Sequence, residues 1–310
     1  MNKNLIKKKY ISIPLAILCT FMWGLAIPLL KLGYKSMEIV TSNGNVGTQL
    51  LYAGVRFVLA GIIVYVILSG SQKKLVLPQK SSLLPYLLLG LVQTFGQYIF
   101  YYIGIGNTNG VNTSLITSCT SFLTVLFAPI FFKGDKLTAP KIIGCALGFI
   151  GILTVTGGIQ LNLANLLGDG LILFATICSA SGNIISKKIT FGKNPMEVTA
   201  FQLTLGGTLL TFFGIIFGGT LEFKNIASIL YLAVLAIISA VAFTIWSALL
   251  KHHPASRISV FNLLVPVFGT VLSGILLGDD IFRIEILVSL IFIISGIALV
   301  NITFKERKSI

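Results

Sequence analysis

Arg56 is the residue in this chain whose type and position most demand a chemical explanation. It stands inside an apolar run that begins near position 48, roughly 12 Å below the run's start at about 1.5 Å per residue. An ionised side chain in hydrocarbon is costly and is retained for function or because it is paired. The guanidinium presents a planar fork of donors that matches a carboxylate or a phosphate. Two readings stay open: Arg56 faces a wet cavity and binds an anionic group, or it is structural, snorkelling to the boundary or bracing the first two helices.

The acidic residues give the complementary signal. Glu38, Asp135, Asp169, Glu197, Glu222, Asp279, Asp280, Glu285 and Glu306 all fall in expected loops or at helix ends. A proton-coupled pump for lipophilic cations needs a carboxylate inside the membrane, to hold the cation and then exchange it for a proton. None is available here, so that class is disfavoured.

Neutral polar residues inside apolar runs are the other candidates. Gln93, Gln97 and Tyr101 recur every four residues, beside Tyr98 and Tyr102, and would form one stripe on a helix. Two amides could hold the amino and carboxyl groups of a zwitterion, or they could bond to neighbouring helices for about 1 kcal/mol per contact. Thr117, Ser121 and Thr124 share a face of a hydroxyl-rich run. Most hydroxyls there bond to their own helix, but this face is the better cavity candidate. In the second half of the chain, Asn183, Gln202, Trp246 and Asn262 are isolated polar or amphipathic residues that could line a pathway. Trp23 lies too deep for an interfacial anchor and suits a cavity wall.

Gly24 and Pro28, one turn apart, predict a kink in the first helix, because proline removes a backbone hydrogen bond. A hinge there, and another at Pro266, could gate the cavity. Gly144, Gly148 and Gly151 form a small-residue stripe that reads as close helix packing. Cys19, Cys119, Cys145 and Cys178 lie singly in apolar runs, and His252 and His253 have no metal-ligand spacing and read as solvated. No catalytic residue, cofactor or metal is expected.

The elements that must position these residues follow from composition. Only 10% of residues are charged and 55% are apolar, whereas a soluble domain carries about 25% charged residues. The chain cannot clothe itself in a wetted surface. A membrane-spanning helix needs about 20 apolar residues, and such runs fall at 12–33, 48–69, 82–103, 111–132, 139–158, 167–187, 196–218, 226–249, 256–277 and 284–303. Turn formers such as Gly44, Pro78, Pro140, Asn194-Pro195 and Pro254 punctuate them. The net charge of +14 does not point to nucleic acid, because the basic residues sit in short clusters between apolar runs.

Those clusters set the orientation. With the N-terminus cytoplasmic, 18 of the 23 basic residues fall on inner segments, from Lys7-Lys8-Lys9 through Lys73, Lys141, Lys193 and Lys251 to Lys308. The positive-inside rule therefore supports ten spans with both termini cytoplasmic. The two halves also resemble each other. A shift of 146 carries Ala53-Gly54-Val55-Arg56-Phe57 onto Thr199-Ala200-Phe201-Gln202-Leu203 and Gly61 onto Gly207. Gly134-Asp135 recurs as Gly278-Asp279, and Gly151-Ile152 as Gly296-Ile297. A repeat with an odd number of spans inserts upside down relative to its twin. The expected fold is an all-α integral membrane protein with ten transmembrane helices in two inverted five-helix repeats, over residues 1–158 and 159–310.

Trp23-Gly24, Arg56-Phe57, and Pro266 ahead of the acidic Gly278-Asp279-Asp280 turn resemble the drug/metabolite transporter superfamily, most closely its EamA-type branch. The chain departs from that pattern at Asp135, where the family usually has Glu, and at Ser121 and Phe122, where the first repeat lacks the equivalent of Pro266. The resemblance implies a bacterial inner-membrane exporter with a central cavity between helices one to four of each repeat, and helices five and ten outside. It implies alternating access and a small metabolite as cargo. Taken with the residues above, the expected protein carries small neutral, zwitterionic or anionic metabolites, amino acids first. Its partners are that solute and membrane lipid, with no nucleic acid, and it acts as a monomer or homodimer. A proton-coupled multidrug exporter, an integral-membrane enzyme and a passive channel are the alternatives. In a cysteine-free background, a cysteine at Lys193 should resist impermeant thiol reagents added to intact cells. Labelling from outside would overturn the orientation.

Overall fold

A computed structural model describes residues 6, 8–39, 46–108, 110–156, 166–278 and 284–301. Ten helical rods follow in chain order: α1 (Lys9–Ser36), α2 (Val46–Gln72), α3 (Lys80–Ile105), α4 (Gly110–Phe131), α5 (Ala139–Thr156), α6 (Leu166–Thr190), α7 (Pro195–Ile216), α8 (Ile226–His252), α9 (Ala255–Leu277) and α10 (Ile284–Asn301). Among the described residues, nine are long and apolar enough to cross a bilayer, and the tenth, Ala139–Thr154, is apolar but shorter. Each rod matches an apolar run of the sequence. Gly44, Asp279, Asp280, Arg283, Glu306, the outermost lysines of both termini and the expected repeat boundary at 158 lie outside the described residues.

The ends of the rods follow from local chemistry. Asn194 caps α7 by accepting from Met196 N at 3.0 Å, and Pro195 follows at the position where a missing N–H is harmless. Asn225 caps α8 in the same way through Ser228 N at 3.0 Å. Gly278 ends α9 with φ 81°, in the left-handed region that disfavours a side chain. Two rods are not uniform, which the apolar pattern does not disclose. The middle of α3, Gly90–Gly96, is a π-helix, and Val260–Leu263 of α9 is a 3-10 turn. Large apolar side chains such as Val66, Leu84, Phe174, Phe212, Ile237 and Ile291 point outward, as a hydrocarbon surround requires.

The inversion of the halves is visible in how glycines seat helix against helix. A Cβ placed on Gly61 would lie 2.8 Å from the Ala200 carbonyl oxygen, and one on Gly207 would lie 2.9 Å from the Gly54 carbonyl oxygen. As the number rises along α2 it falls along α7, so the two run antiparallel. The 146-residue shift turns one of these contacts into the other, since Gly54 maps to Ala200 and Gly61 to Gly207. Helices α5 and α10 repeat the arrangement: a Cβ on Gly144 would lie 2.6 Å from Gly296 O, and one on Gly151 would lie 2.9 Å from Ser289 O. The glycine stripe of α5 is thus a packing seam.

The remaining helices exchange in the same manner. α1 packs on α8 and α9, as α6 packs on α3 and α4, while α5 and α10 pack chiefly on each other and on α4 and α9. The segments expected to share one face do so. Lys193 Nζ donates to Gln79 Oε1 at 2.9 Å, Lys251 Nζ to Lys193 O at 2.6 Å, and His253 Nε2 meets Ile6 O at 2.8 Å. On the opposite face, Lys224 pairs with Glu38 and Asn225 Nδ2 donates to Ser36 O at 3.3 Å.

A Cβ added at Gly54 would lie 2.4 Å from Thr211 N, whereas nothing lies within 4 Å of a Cβ at Gly70 on the same helix. Gly54→Ala should lower the unfolding temperature of purified protein by an amount equivalent to about 1–3 kcal/mol of overpacking. Gly70→Ala should leave it unchanged or slightly higher. Equal behaviour of the two variants would contradict the α2–α7 seam.

Candidate functional site

Arg56 projects from α2 into the bundle and is 5% exposed. Its guanidinium carbon lies 4.3 Å from the centre of the Phe57 ring and 5.8 Å from that of Tyr98 on α3. Facing π-systems stabilise a desolvated cation by up to about 2 kcal/mol, and Tyr98 adds a side-chain hydrogen bond to the guanidinium. The Arg56 Nε–H has no hydrogen-bond partner. Among the described residues the ion pairs are Lys141–Asp135 and Lys224–Glu38, and neither involves Arg56.

Two phenols lie near this cation. Tyr34 of α1 and Tyr52 of α2 meet edge to face at 5.3 Å between ring centres. Both lie within electrostatic reach of Arg56 and both are buried; Tyr52 Oη has no partner, and Tyr34 Oη has only a loose one in the Tyr102 phenol. Tyr52 Oη sits over Gly33, where a Cβ would come within 2.7 Å. A buried donor without an acceptor costs about 1–3 kcal/mol. One N–H of a buried cation is thus left open beside two phenols, and neither described ion pair supplies it with a carboxylate.

Trp23 links this cluster to a second one. Its ring packs 5.6 Å from Phe243 and 5.0 Å from Trp246, and Phe243 in turn lies 6.1 Å from Phe57. Trp246 Nε1 donates to Asn183 Oδ1 at 3.0 Å, and Asn183 Nδ2 donates to Thr124 Oγ1 at 3.3 Å. Four helices, α1, α8, α6 and α4, are thereby joined through one chain of aromatic and polar contacts. Trp23 is only half-buried, whereas Trp246 and Asn183 are buried.

Other candidates are placed apart from these. Gln202 Nε2 donates to Gln93 Oε1 at 3.0 Å and approaches Thr94 Oγ1 at 3.4 Å, and both amides are buried where α7 crosses the π-helix. Gln93 therefore pairs across helices, while Gln97 begins the next α-helical segment and is half-buried. A π turn bonds i to i+5, so the four-residue spacing that suggested one stripe does not carry through α3. Tyr101 packs edge-on against Tyr102 at 5.6 Å, close to Tyr98 rather than to the amide pair. Thr117 Oγ1 donates back to Thr113 O at 2.7 Å, and Ser121 Oγ donates to Ser259 O of α9 at 2.8 Å. Asn262 lies half-buried on the 3-10 turn with its Oδ1 unpaired. Gly24 seats α1 against α9, where a Cβ would meet Phe268 Cβ at 2.5 Å. The two segments expected to gate, around Pro28 and Pro266, therefore touch each other through Gly24 and Phe268.

The lysine-rich face is crossed by contacts that residue spacing did not foretell. Asp135, 2% exposed, accepts from Lys141 Nζ at 2.6 Å, from Ser256 N at 3.0 Å and from Ser256 Oγ. It caps the start of α9 from the α4–α5 loop. Lys187 Nζ donates to Leu250 O at 2.8 Å and His253 O at 2.5 Å. His253, expected to be solvated, is half-buried and bonded to Ile6. On the opposite face, Asp169 in the first turn of α6 accepts from Thr108 and, at 3.0 Å, from Asn112 Nδ2. The exposed Lys224 amine is pushed up by its hydrogen bond to Glu38, a pair worth little in solvent. Tyr34 and Tyr52 were absent from the residues singled out by sequence, because aromatic residues near a span end read as interfacial anchors.

Ten helices in antiparallel twin sets around a buried aromatic and cationic centre define an inverted-repeat membrane transporter. The chain belongs to the EamA-like transporter family, which matches it twice, over residues 10–157 and 166–302. It is 28% identical to a protein of Salmonella typhimurium named "Probable amino-acid metabolite efflux pump", over 95% of this chain and 96% of that one. Its similarity to the protein of the same name in Escherichia coli is 27% identity over 96% of both chains. A crystal structure at 20% identity shares the fold with a TM-score of 0.77, covering 92% of this chain and 96% of its own.

Asp135→Ala should strand the Lys141 ammonium in a buried setting, at a loss of about 3–5 kcal/mol, read as a lower unfolding temperature. Adding Lys141→Met should recover much of it. A double variant as unstable as the sum of both single changes would show that the two side chains are not coupled.

Proposed function

We propose that this protein exports or exchanges amino acids and similar small carboxylated metabolites by alternating access. The observation that carries the reading is the buried Arg56, with its open Nε–H and the phenols of Tyr34 and Tyr52 beside it. A substrate carboxylate would take these donors, and the aromatic wall of Trp23, Phe57 and Phe243 would take its apolar side chain. The names of the Salmonella and E. coli relatives favour amino acids within that class. Asn183, Trp246, Gln93, Gln202, Gln97, Tyr101, Thr117, Ser121 and Asn262 are further candidates for the pathway lining, those that now bond to each other becoming available as helices part.

The two twin sets supply the means of alternation, one turning against the other around a fixed centre. Gly24 and Pro28 of α1, packed on α9 near Pro266, form the hinge of that motion. The lysine-rich face is cytoplasmic by the positive-inside rule, which puts the protein in a bacterial inner membrane with both termini inside. The described acids lie in loops or first turns: Glu38, Asp135 and Glu222 in loops, and Asp169, Glu197 and Glu285 at helix starts. The lack of a mid-span carboxylate among them favours facilitated flux down the substrate gradient over strict proton antiport.

Counterflow of a labelled neutral amino acid in proteoliposomes tests the reading. A charge-assisted hydrogen bond contributes about 1.5–3 kcal/mol, so Arg56→Gln should slow saturable flux roughly 10- to 100-fold at subsaturating substrate, with normal yield in the membrane. Full flux in Arg56→Gln would remove Arg56 from the site.

A further inference from the structure

Away from the central site, a cleft of roughly 200 Å³ opens on the lysine-rich face. Its polar lining is Ser12 of α1, His253 at the end of α8, Arg257 of α9 and Asn301 at the end of α10. Its apolar lining is Ile13, Ile258 and Phe261. α9 forms the back of the cleft. α1 and α10 both pack on the α9 rod but make little contact with each other, so the cleft lies where the two outer helices leave a gap.

Three observations say what fits there. The first is Arg257, half-buried, whose guanidinium has no hydrogen bond among the described residues and no part in either described ion pair. A guanidinium at the wall of a cleft without a described carboxylate lining it leaves its fork open for an anion, and phosphate matches that fork in two-point contact. The second is depth. Tyr10 is exposed two residues before Ser12, with Lys8 Nζ 5.6 Å from its ring centre, the aromatic and cationic pairing that marks headgroup level. The third is the cleft's mixed lining. Ile13 is exposed at its lip beside the polar floor. A soluble phosphate would have no use for an apolar wall at this level, whereas the glycerol and first acyl carbons of a lipid would lie along it.

We infer that this cleft binds the headgroup of an anionic phospholipid, with the phosphate on Arg257 and the acyl chain leaving past Ile13. His253 is held at the edge of the site by its bond to Ile6, and Ser12 and Asn301 line the place where a headgroup hydroxyl would sit. Basic recesses between transmembrane helices at the cytoplasmic side are suited to such headgroups. The site is independent of the substrate centre, because no residue is shared between them.

The test uses the purified full chain in a neutral detergent, followed by thermal unfolding with added phosphatidylglycerol, phosphatidylcholine or glycerol 3-phosphate. A ligand of the native state raises the unfolding temperature by mass action. Phosphatidylglycerol should stabilise the protein at concentrations where the other two do not. Arg257→Gln should weaken that response at least tenfold in apparent affinity, and Lys74→Gln, an exposed cation on the same face, should leave it intact. Ile13→Glu, which puts a negative charge on the exposed lip, serves if Arg257→Gln fails to fold and should weaken the response likewise. Equal stabilisation by phosphatidylcholine, or a response surviving Arg257→Gln or Ile13→Glu, would overturn the site. Stabilisation by glycerol 3-phosphate as strong as by phosphatidylglycerol would overturn the lipid assignment.

Discussion

Hydrocarbon offers no hydrogen bonds, so every polar atom inside this bundle must find its partner within the protein or in a bound solute. Most of the interior meets that condition. Gln202 bonds to Gln93, Trp246 to Asn183 and Asn183 to Thr124, while Ser121 reaches across to α9 and Thr117 folds back on its own helix. Orphaned neutral atoms also occur on Ser82, Thr244 and Ser289, but Arg56 is the one cation among the described orphans. The unpaired phenol of Tyr52 and the loosely held one of Tyr34 accompany it. An incomplete set of donors around a charge, in a medium that cannot supply the acceptor, is the feature on which the proposed carboxylate site rests.

What holds that centre in place is the close approach of twin helices. Glycines at 54, 61 and 207 let α2 and α7 meet backbone to backbone, and those at 144, 151 and 296 do the same for α5 and α10. Arg56 lies between Gly54 and Gly61 on the tight α2–α7 seam, so its helix has little freedom to shift. The helices that bear the aromatic wall, α1 and α8, are joined to each other by ring contacts and side-chain bonds, and Gly24 seats α1 on α9. Side-chain contacts can be exchanged for contacts with a substrate, whereas a glycine seam can only slide or separate. At the lysine-rich end the helices are further joined by Asp135 on Ser256 and Lys187 on the carbonyls that end α8.

Much of this architecture is written in the pattern of residues. Apolar runs mark all ten rods, because in lipid the length of a hydrophobic stretch is itself the structural constraint. The 146-residue shift, weak as a set of letters, returns as a pair of contacts exchanged by symmetry. The Gly144, Gly148 and Gly151 stripe is legible for the same reason, since small residues at helical spacing have one common use in membranes. The centre is less legible. Arg56 announces itself, but its neighbours Tyr34 and Tyr52 do not, because tyrosine near a span end has an ordinary interfacial role. The amide stripe of α3 misleads because spacing presumes an α-helix, and the π turn at Gly90–Gly96 shifts the register. Asp135 reads as a solvated loop acid until α9 is seen to start against it. Tertiary partners carry that information, and no local pattern contains it.

The claim at the centre is that Arg56, Tyr34 and Tyr52 await a carboxylate. Thermal unfolding of the purified wild-type protein with an amino acid and with its carboxamide addresses it most directly, because the pair differs only in the group said to be bound. The amino acid should raise the unfolding temperature in a saturable way and the carboxamide should not. Equal shifts from both compounds would contradict the account.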